Sequence, residues 1–248
     1  MKRRNQTTNR AVASFISVRA VALALLISLV SLGAVPASAL DVCTIEPNGV
    51  ACLTTKVDSL QVIVNKTQPL VPKNYYPREL VRVPKYNPYG RIVRKDVAAA
   101  IVKLGKQMQA DKKGVLIVQS GFRSFALQKK LHSAKVSAIG KVRGERLVAR
   151  PGHSEHQTGL AVDFGAKGVS TLQASFAKTK AGIWLAANSY KYGFVLRYPY
   201  GKTNITGYSF EPWHFRFVGV ATATDMHDRG ITTLEEFYAL PAAPNYLN

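Results

Sequence analysis

The chain has 248 residues, of which 34 are Lys or Arg and 14 are Asp or Glu, giving a formal net charge of +20. With 47% hydrophobic and 19% charged residues, the composition excludes an intrinsically disordered chain and a multi-pass membrane protein. Two cysteines and five histidines exclude a disulfide-rich scaffold and a multi-zinc array, whereas the positive charge predicts an acidic partner.

The first 39 residues are typical of a secretory signal peptide. Residues 1–19 carry five basic residues and no acidic residue, an apolar run follows over 20–35, and residues 36–39 (PASA) end in an A-x-A pattern. The apolar run is shorter than the roughly 20 residues that a membrane span needs, so we expect cleavage after Ala39, with an uncleaved membrane anchor as the alternative. Cleavage would remove those five basic residues, leave a net charge of +15, and place the protein outside the cytoplasm, where we expect no nucleic-acid partner.

Residues 40–59 form an N-terminal segment that contains both cysteines. Cys43 and Cys52 bracket a turn-forming Pro-Asn-Gly sequence at 47–49, and outside the cell we expect the two thiols to form a disulfide. A pair of metal ligands is the alternative, but the C-x8-C spacing is not typical of zinc sites.

Residues 60–248 are predicted to form one α+β domain. Five prolines in residues 60–90 exclude long helices there and favour an extended arm. Apolar periodicity predicts helices over 96–110, 125–136, 220–228 and 232–238, with Asp96 as the cap of the first and Thr232 or Thr233 as the cap of the last, and a mostly helical segment over 172–190. Strands are predicted at 115–119, 160–164, 194–198 and 213–218, with loops at 140–152 and 199–209. The alternation of helices with short, hairpin-connected strands indicates a small antiparallel sheet flanked by helices.

Side chains of types that can bind a metal lie within two predicted apolar strands and in one predicted turn. Asp163 lies within an apolar strand, where an unpaired carboxylate is costly, and His156 precedes it by seven residues across a glycine-containing turn. His214 lies in another strand of apolar and aromatic residues. Two imidazoles and one carboxylate are a ligand set typical of a catalytic zinc site with an open fourth position for water.

Two further residues have suitable chemistry close to these segments. Glu211 precedes His214 by three residues, and a carboxylate beside such a water can serve as a general base. Arg123 follows a predicted strand end, where its guanidinium can bind a carboxylate or stabilise an oxyanion. Each residue alone has a structural alternative: a structural or solvated turn histidine for His156, a paired core carboxylate for Asp163, a surface acid for Glu211, and a helix cap or an ion pair with an aspartate for Arg123. The H-E-x-x-H pattern of helical zinc proteases is absent from the sequence.

Taken together, the segments SGFRS at 120–124, GHSEHQTGLAVDFG at 152–165 and FEPWHFRFVG at 210–219 resemble the signatures of the VanY-type zinc D-alanyl-D-alanine carboxypeptidases of the M15 peptidase family. The stretches VNKTQPL at 64–70 and GFVLRYPYGKTNITGY at 193–208 are similar to that family as well. The resemblance therefore covers about residues 60–240 and implies that 60–248 is a zinc carboxypeptidase domain.

The resemblance implies a role for each candidate residue. Three residues correspond to the zinc ligands, namely His156, Asp163 and His214. Glu211 corresponds to the catalytic base, and Arg123 to the group that stabilises the substrate carboxylate or the developing oxyanion. Ser154 and Gln128 correspond to substrate-pocket residues.

The remaining histidines are predicted to lie outside the metal site. We expect His153 to be solvated or to contact a metal ligand without binding the metal itself. We expect His132 and His227 to be structural. Phe122 and Phe217 stand where tyrosine is common in the family, a difference that can affect substrate preference but removes no ligand.

The resemblance also implies the reaction, which is hydrolysis of the C-terminal D-Ala-D-Ala bond of peptidoglycan stem peptides by Zn²⁺-activated water. The alternatives on the same wall peptides are an L,D-carboxypeptidase, a D,D-dipeptidase or an endopeptidase. An alternative from another class is a non-catalytic cell-wall binding module, although such a module has no need of a base beside a metal. The basic charge favours attraction of a secreted, wall-associated protein to anionic cell-wall polymers.

Overall fold

The computed structural model describes residues 42–46, 49–53, 56–169 and 172–247. The predicted signal peptide, residues 1–39, lies outside these ranges, so its cleavage stays a prediction. Within the described ranges, no helix combines the length and the apolar character that a membrane crossing requires.

The N-terminal segment contains a two-stranded antiparallel hairpin of β1 (Val42–Glu46) and β2 (Gly49–Leu53). Its register places the backbone of Cys43 directly opposite that of Cys52. The side chains of both residues lie outside what the structure describes, so the disulfide stays a prediction.

The predicted extended arm holds only a short strand, β3 (Leu80–Arg82), which pairs with β4 (Ile92–Arg94) before helix α1 (Lys95–Ala110). The prediction of Asp96 as the cap of α1 is wrong, because the helix begins at Lys95 and its capping position has no side-chain hydrogen bond. Asp96 lies inside the first turn, where its carboxylate accepts a hydrogen bond of 2.8 Å from the Arg94 guanidinium.

The central sheet has four strands, each antiparallel to its neighbour, in the order β5-β6-β8-β7. In chain order these strands are β5 (Leu116–Ser120), β6 (Ala161–Ala166), β7 (Phe194–Leu196) and β8 (His214–Phe217). Helices precede and follow the strands, which confirms the predicted α+β class with a small antiparallel sheet.

The helices after α1 are α2 (Phe125–Ile139), α3 (Lys141–Gly144), α4 (Lys180–Asn188), α5 (Thr203–Thr206), α6 (Val220–Asp228) and α7 (Leu234–Phe237). The prediction that residues 172–190 are mostly helical is confirmed, and the segment is divided into three elements, because α4 lies between two 3₁₀ helices, Ala174–Lys178 and Ser189–Tyr192. The predicted loops at 140–152 and 199–209 contain the single-turn helices α3 and α5. Thr233 is the cap of α7, since its hydroxyl accepts the Glu236 N–H.

Side-chain alternation divides the central strands into two faces. Val162 and Phe164 of β6, with Phe215 of β8, pack into the main apolar core together with α1 and α4. Asp163 and His214 have the opposite parity and therefore point to the other face. This second face is also buried, but it carries the polar and charged residues of the domain interior.

Candidate active site

The register of the central sheet brings Asp163 and His214 together. They are paired residues on β6 and β8, and Ser120 of β5 is the partner of Asp163 on the other side. Directly opposed residues of antiparallel strands have neighbouring side chains on one face. The His214 Nδ1 atom consequently lies 3.3 Å from the Asp163 Oδ1 atom.

His156 reaches the same point from a 3₁₀ turn, Glu155–Thr158, that ends just before β6. Gly159 ends this turn in the left-handed region, at φ 72°, which suits a residue without a Cβ atom. The His156 Nδ1–H group donates to the Gly121 carbonyl oxygen at 2.7 Å. The Nε2 atom is thereby left as the unprotonated nitrogen, 3.3 Å from Asp163 Oδ1.

The three side chains form a donor set that fits Zn²⁺. One ligand atom from each of His156, Asp163 and His214 lies within 4.8 Å of the others, and all three residues are buried. Among the described residues, His156 Nε2 and Asp163 Oδ1 are buried atoms without a hydrogen-bond partner. Buried polar atoms left unpaired are costly, and a metal ion satisfies both of them at once.

His214 presents its other ring nitrogen to the metal position. Its Nε2 atom lies 3.4 Å from the Glu155 Oε2 atom, while Nδ1 faces Asp163 and Glu211. A proton on Nε2 directed at the carboxylate leaves the Nδ1 lone pair for a metal.

Glu211 lies beside this cluster with its carboxylate almost completely buried. Its Oε2 atom is 3.7 Å from His214 Nδ1, and its carbonyl oxygen accepts the His214 backbone N–H at 3.1 Å. Burial raises the pKa of Glu211 to about 8, and the negative charge of Asp163 adds to this rise. A carboxylate with a raised pKa next to a metal position has the affinity for a proton that a general base needs.

The two histidines have opposite pKa shifts. Burial lowers the pKa of His156 to about 4, with a further contribution from Arg123, so this ring is neutral near pH 7. Burial opposes the charged form of His214 too, but its contacts with Asp163 and Glu155 outweigh burial and raise its pKa to about 9. A metal ion bound at His214 would therefore displace a proton from this ring, which would couple metal affinity to pH.

Arg123 places a guanidinium at the edge of the cluster. Its Nη2 atom is 3.6 Å from Asp163 Oδ2, its Nη1–H donates to Gln128 Oε1 at 3.3 Å, and its side chain is 19% exposed. Within the described residues, the buried Arg123 Nε atom has no hydrogen-bond partner. An unsatisfied guanidinium donor next to a metal position is suited to bind an anionic group.

The two predicted pocket residues differ in what they contact. Both ends of the Gln128 amide are hydrogen-bonded: Nε2–H donates to the Ala149 carbonyl at 2.8 Å, and Oε1 accepts from Arg123. Ser154 is buried at the start of the His156 turn, where its carbonyl accepts the Gln157 N–H at 3.1 Å. Gln128 thus holds Arg123 in place, and contact of either residue with substrate stays a prediction.

The other three histidines lie outside the ligand group. The Nδ1 atom of His153 is 2.9 Å from the Asn65 carbonyl oxygen, and its ring packs edge-to-face on Tyr246, with ring centroids 5.0 Å apart. His132 lies 3.4 Å from Glu145, and His227 stacks on the Tyr190 ring with the ring centroids 3.7 Å apart.

Sequence reasoning missed Glu155, which lies between two motif residues and was given no role. Its carboxylate is fully buried and contacts Arg197 and Arg216 as well as His214. The pKa of Glu155 is held below its usual range, because the two arginines outweigh the opposing effect of burial. The available signal was an arginine inside each of two short apolar strands, since a buried cation requires an acidic partner.

Substitution of Gly121 by Ala is expected to destabilise the protein and weaken metal binding. A Cβ atom there would lie 2.5 Å from the Ile92 carbonyl oxygen, so the backbone must shift, and Gly121 carries the carbonyl that holds His156. We expect a loss of about 1–3 kcal/mol in the free energy of unfolding, measured by urea denaturation, together with a lower zinc affinity. Unchanged values for both quantities would contradict this account of the His156 anchor.

A family model described as VanY, D-alanyl-D-alanine carboxypeptidase, matches residues 90–220, which contain the whole cluster described above. The chain belongs to the VanY family. Its VanY domain thus includes the central sheet, both candidate ligand histidines, Asp163, Glu211 and Arg123.

Three similar proteins extend this assignment. The protein YodJ of Bacillus subtilis is 38% identical over 199 residues, which are 74% of this chain and 71% of YodJ. The solved structure of the LD-carboxypeptidase LdcB has a TM-score of 0.69 and 35% identity, covering 75% of this chain and 88% of LdcB. A mutant of the vancomycin-resistance D,D-pentapeptidase VanY, solved in complex with Zn(II), has a TM-score of 0.62 and 35% identity, covering 73% of this chain and 99% of that one. The VanY-family chain is accordingly a carboxypeptidase with zinc as its cofactor.

Proposed function

We propose that this VanY-family protein removes the C-terminal D-alanine from peptidoglycan stem peptides ending in D-Ala-D-Ala. The observation that carries the proposal is the buried group of His156, Asp163 and His214, in which two possible metal-ligand atoms have no hydrogen-bond partner. This group lies next to Glu211 and next to Arg123, whose Nε atom is also without a partner. Bound Zn²⁺ supplies a Lewis acid that polarises a carbonyl and makes water acidic enough to lose a proton near neutral pH.

The residues of the chain supply the remaining chemistry. Glu211 accepts a proton from the attacking water and delivers it to the nitrogen of the leaving D-alanine. Arg123 binds the terminal carboxylate of the substrate or the oxyanion that develops at the scissile carbonyl, and Gln128 fixes its guanidinium. A bond between two amino acids is thereby broken with one water molecule and no acyl-enzyme.

We propose an extracytoplasmic location for this reaction, at the cell wall. The sequence of residues 1–39 supports this location, as does the net charge of +15 that remains without it, since anionic wall polymers attract a basic protein.

Mass spectrometry of the products from defined stem peptides tests the proposal. The purified protein, without residues 1–39 and loaded with zinc, is expected to convert a pentapeptide into a tetrapeptide and free D-alanine. Chelation should stop the reaction and added Zn²⁺ should restore it, whereas β-lactams should not inhibit it, because no serine is acylated. Binding of sacculi with no cleavage of any stem peptide would overturn the proposal in favour of a binding module.

The similarity to LdcB favours one second candidate, an L,D-carboxypeptidase that acts on the tetrapeptide. The same experiment separates the two activities, since that enzyme would release D-alanine from a tetrapeptide and leave a tripeptide. Release of the intact D-Ala-D-Ala dipeptide would indicate a D,D-dipeptidase, and opening of cross-linked peptides an endopeptidase.

Substitution of Arg123 by Lys tests its assigned role. Lys keeps the charge but lacks the planar fork, so we expect a higher KM or a lower kcat/KM, by about 10-fold or more, with unchanged zinc affinity. Steady-state kinetics on the pentapeptide measures the effect, and Arg143→Lys, an exposed substitution on α3, is the matched control. Equal kcat/KM values for Arg123→Lys and the control would refute the role.

A further inference from the structure

The carboxylate of Glu155 lies behind His214, on the side away from the metal position. Although Glu155 is the neighbour of His156 in sequence, its Oε2 atom lies 3.4 Å from His214 Nε2. The side chain of Glu155 is fully buried, so no water competes for this contact.

Two buried arginines occupy the other oxygen of the same carboxylate. Arg197 Nε–H donates to Glu155 Oε1 at 2.8 Å, and Arg216 Nη1–H donates to it at 2.9 Å. Both arginine side chains are completely inaccessible to solvent. Since Oε1 is taken by two cations, Oε2 is the oxygen that remains for His214.

The arginines are in turn fixed by further partners. The fork of Arg197 donates to both carboxylate oxygens of Glu235 on α7, at 2.8 and 2.7 Å. Arg216 Nη2–H donates to the carbonyl oxygens of Leu60 and Val62, at 2.9 and 2.7 Å. The network therefore holds the Glu155 carboxylate from several parts of the domain.

A buried network of two cations and two anions is not expected to add much to the free energy of unfolding. Removing four charged groups from water is expensive, and well-packed apolar residues often serve as well or better. The contact with a metal ligand at one end of the network suggests a different purpose.

We propose that Glu155 is a positioning residue for the metal site. It accepts the Nε2 proton of His214 and thereby fixes the tautomer and the ring orientation that direct Nδ1 at the metal. The arginine pair fixes which carboxylate oxygen faces His214. The proposal rests on the zinc-dependent function proposed above, but it concerns how the chain binds the metal, not which peptide it cleaves.

Substitution of Glu155 by Gln has a defined consequence in this geometry. The two arginines require an acceptor, so the amide oxygen will face them and the NH₂ group will face His214. A donor at that place favours a His214 ring with its proton on Nδ1, and that proton blocks the metal lone pair. Loss of a residue that hydrogen-bonds a metal ligand typically lowers metal affinity by about 10–100-fold, and we expect a loss in that range for zinc.

Glu145→Gln is the matched control, because it also neutralises a carboxylate that contacts an arginine, Arg150, and a histidine, His132, but it contacts no metal ligand and lies outside this network. Competition with a chromophoric chelator gives the zinc dissociation constant of each folded variant, and the visible absorption of the Co²⁺-loaded proteins reports the ligand geometry. We expect Glu155→Gln to bind zinc weakly with an altered Co²⁺ spectrum, and Glu145→Gln to match the wild type in both. Equal zinc affinities for Glu155→Gln and the wild type, or equal losses for both variants, would overturn the proposal.

A measurement on the wild-type holoenzyme decides the matter if Glu155→Gln does not fold. Long-range ¹H–¹⁵N correlation spectra of the ¹⁵N-histidine-labelled zinc protein report the tautomer of each ring. We expect the proton on Nδ1 of His156 and on Nε2 of His214. A proton on Nδ1 of His214 would refute the proposal. These readouts require no substrate, so a protein that binds zinc as described but cleaves no stem peptide refutes the proposed function and leaves the role of Glu155 standing.

Discussion

Glu211→Gln is expected to lower kcat on a D-Ala-D-Ala pentapeptide by about 10²–10⁴-fold, the usual contribution of a general base. The amide has nearly the same shape as the carboxylate but cannot accept the proton of the attacking water. Because Glu211 is not in the ligand group, zinc affinity should be retained. Steady-state kinetics together with a chelator competition measures both quantities.

The pH dependence of kcat/KM in the wild-type protein tests the same role of Glu211. As the proposed general base, Glu211 would act only when it is deprotonated, so kcat/KM is expected to rise with pH through the pKa of this residue. Burial places that pKa at about 8 in the protein alone, and the charge of bound zinc lowers it, so the rise should lie below pH 8. Full activity of Glu211→Gln, or an unchanged acid limb in its residual activity, would exclude Glu211 as the base.

Asp163→Asn is expected to abolish both zinc binding at micromolar metal and peptide cleavage. The substitution replaces the carboxylate of the proposed ligand set, which lies 3.3 Å from the facing nitrogen of each histidine, by a neutral amide. Wild-type protein stripped with a chelator should regain activity when zinc is added back, whereas the variant should not.

Asp225→Asn is the control for this experiment. Asp225 is an acid of α6 that pairs with Arg229 and lies outside the ligand group, so its loss should leave the zinc content of the purified protein unchanged. Zinc content near one ion per chain in Asp163→Asn, measured by atomic emission, would show that this carboxylate is not a ligand.

Local patterns were sufficient to predict most elements of the fold. The apolar face of α1 predicted that helix to within one residue at its start. The alternation in β8, where Phe215 and Phe217 flank Arg216, predicted that strand to within one residue at each end. The exact start of an element was less predictable, as with Asp96, which lies one residue inside α1 and not at its capping position, where its carboxylate accepts hydrogen bonds from the Arg94 guanidinium and the Val97 N–H.

The candidate ligands could be singled out because a charged or imidazole side chain inside an apolar strand demands a partner. The supporting contacts could not be found in the same way. Which carbonyl accepts the His156 proton depends on the close approach of Gly121 to β4, and Glu155 meets Arg197 across 42 residues of chain. Such contacts depend on the order β5-β6-β8-β7, which periodicity does not encode.

The pairing of Asp163 with His214 across β6 and β8 has a consequence for how this domain can change. A single inserted residue in either strand would turn one ligand toward the apolar core, so the metal-binding chemistry cannot drift gradually. The connections at 140–152 and 199–209 are under no such restriction, because their length does not alter the ladder. These connections can therefore change in length over evolution one residue at a time, whereas the Asp163–His214 pair can be kept or lost only as a unit.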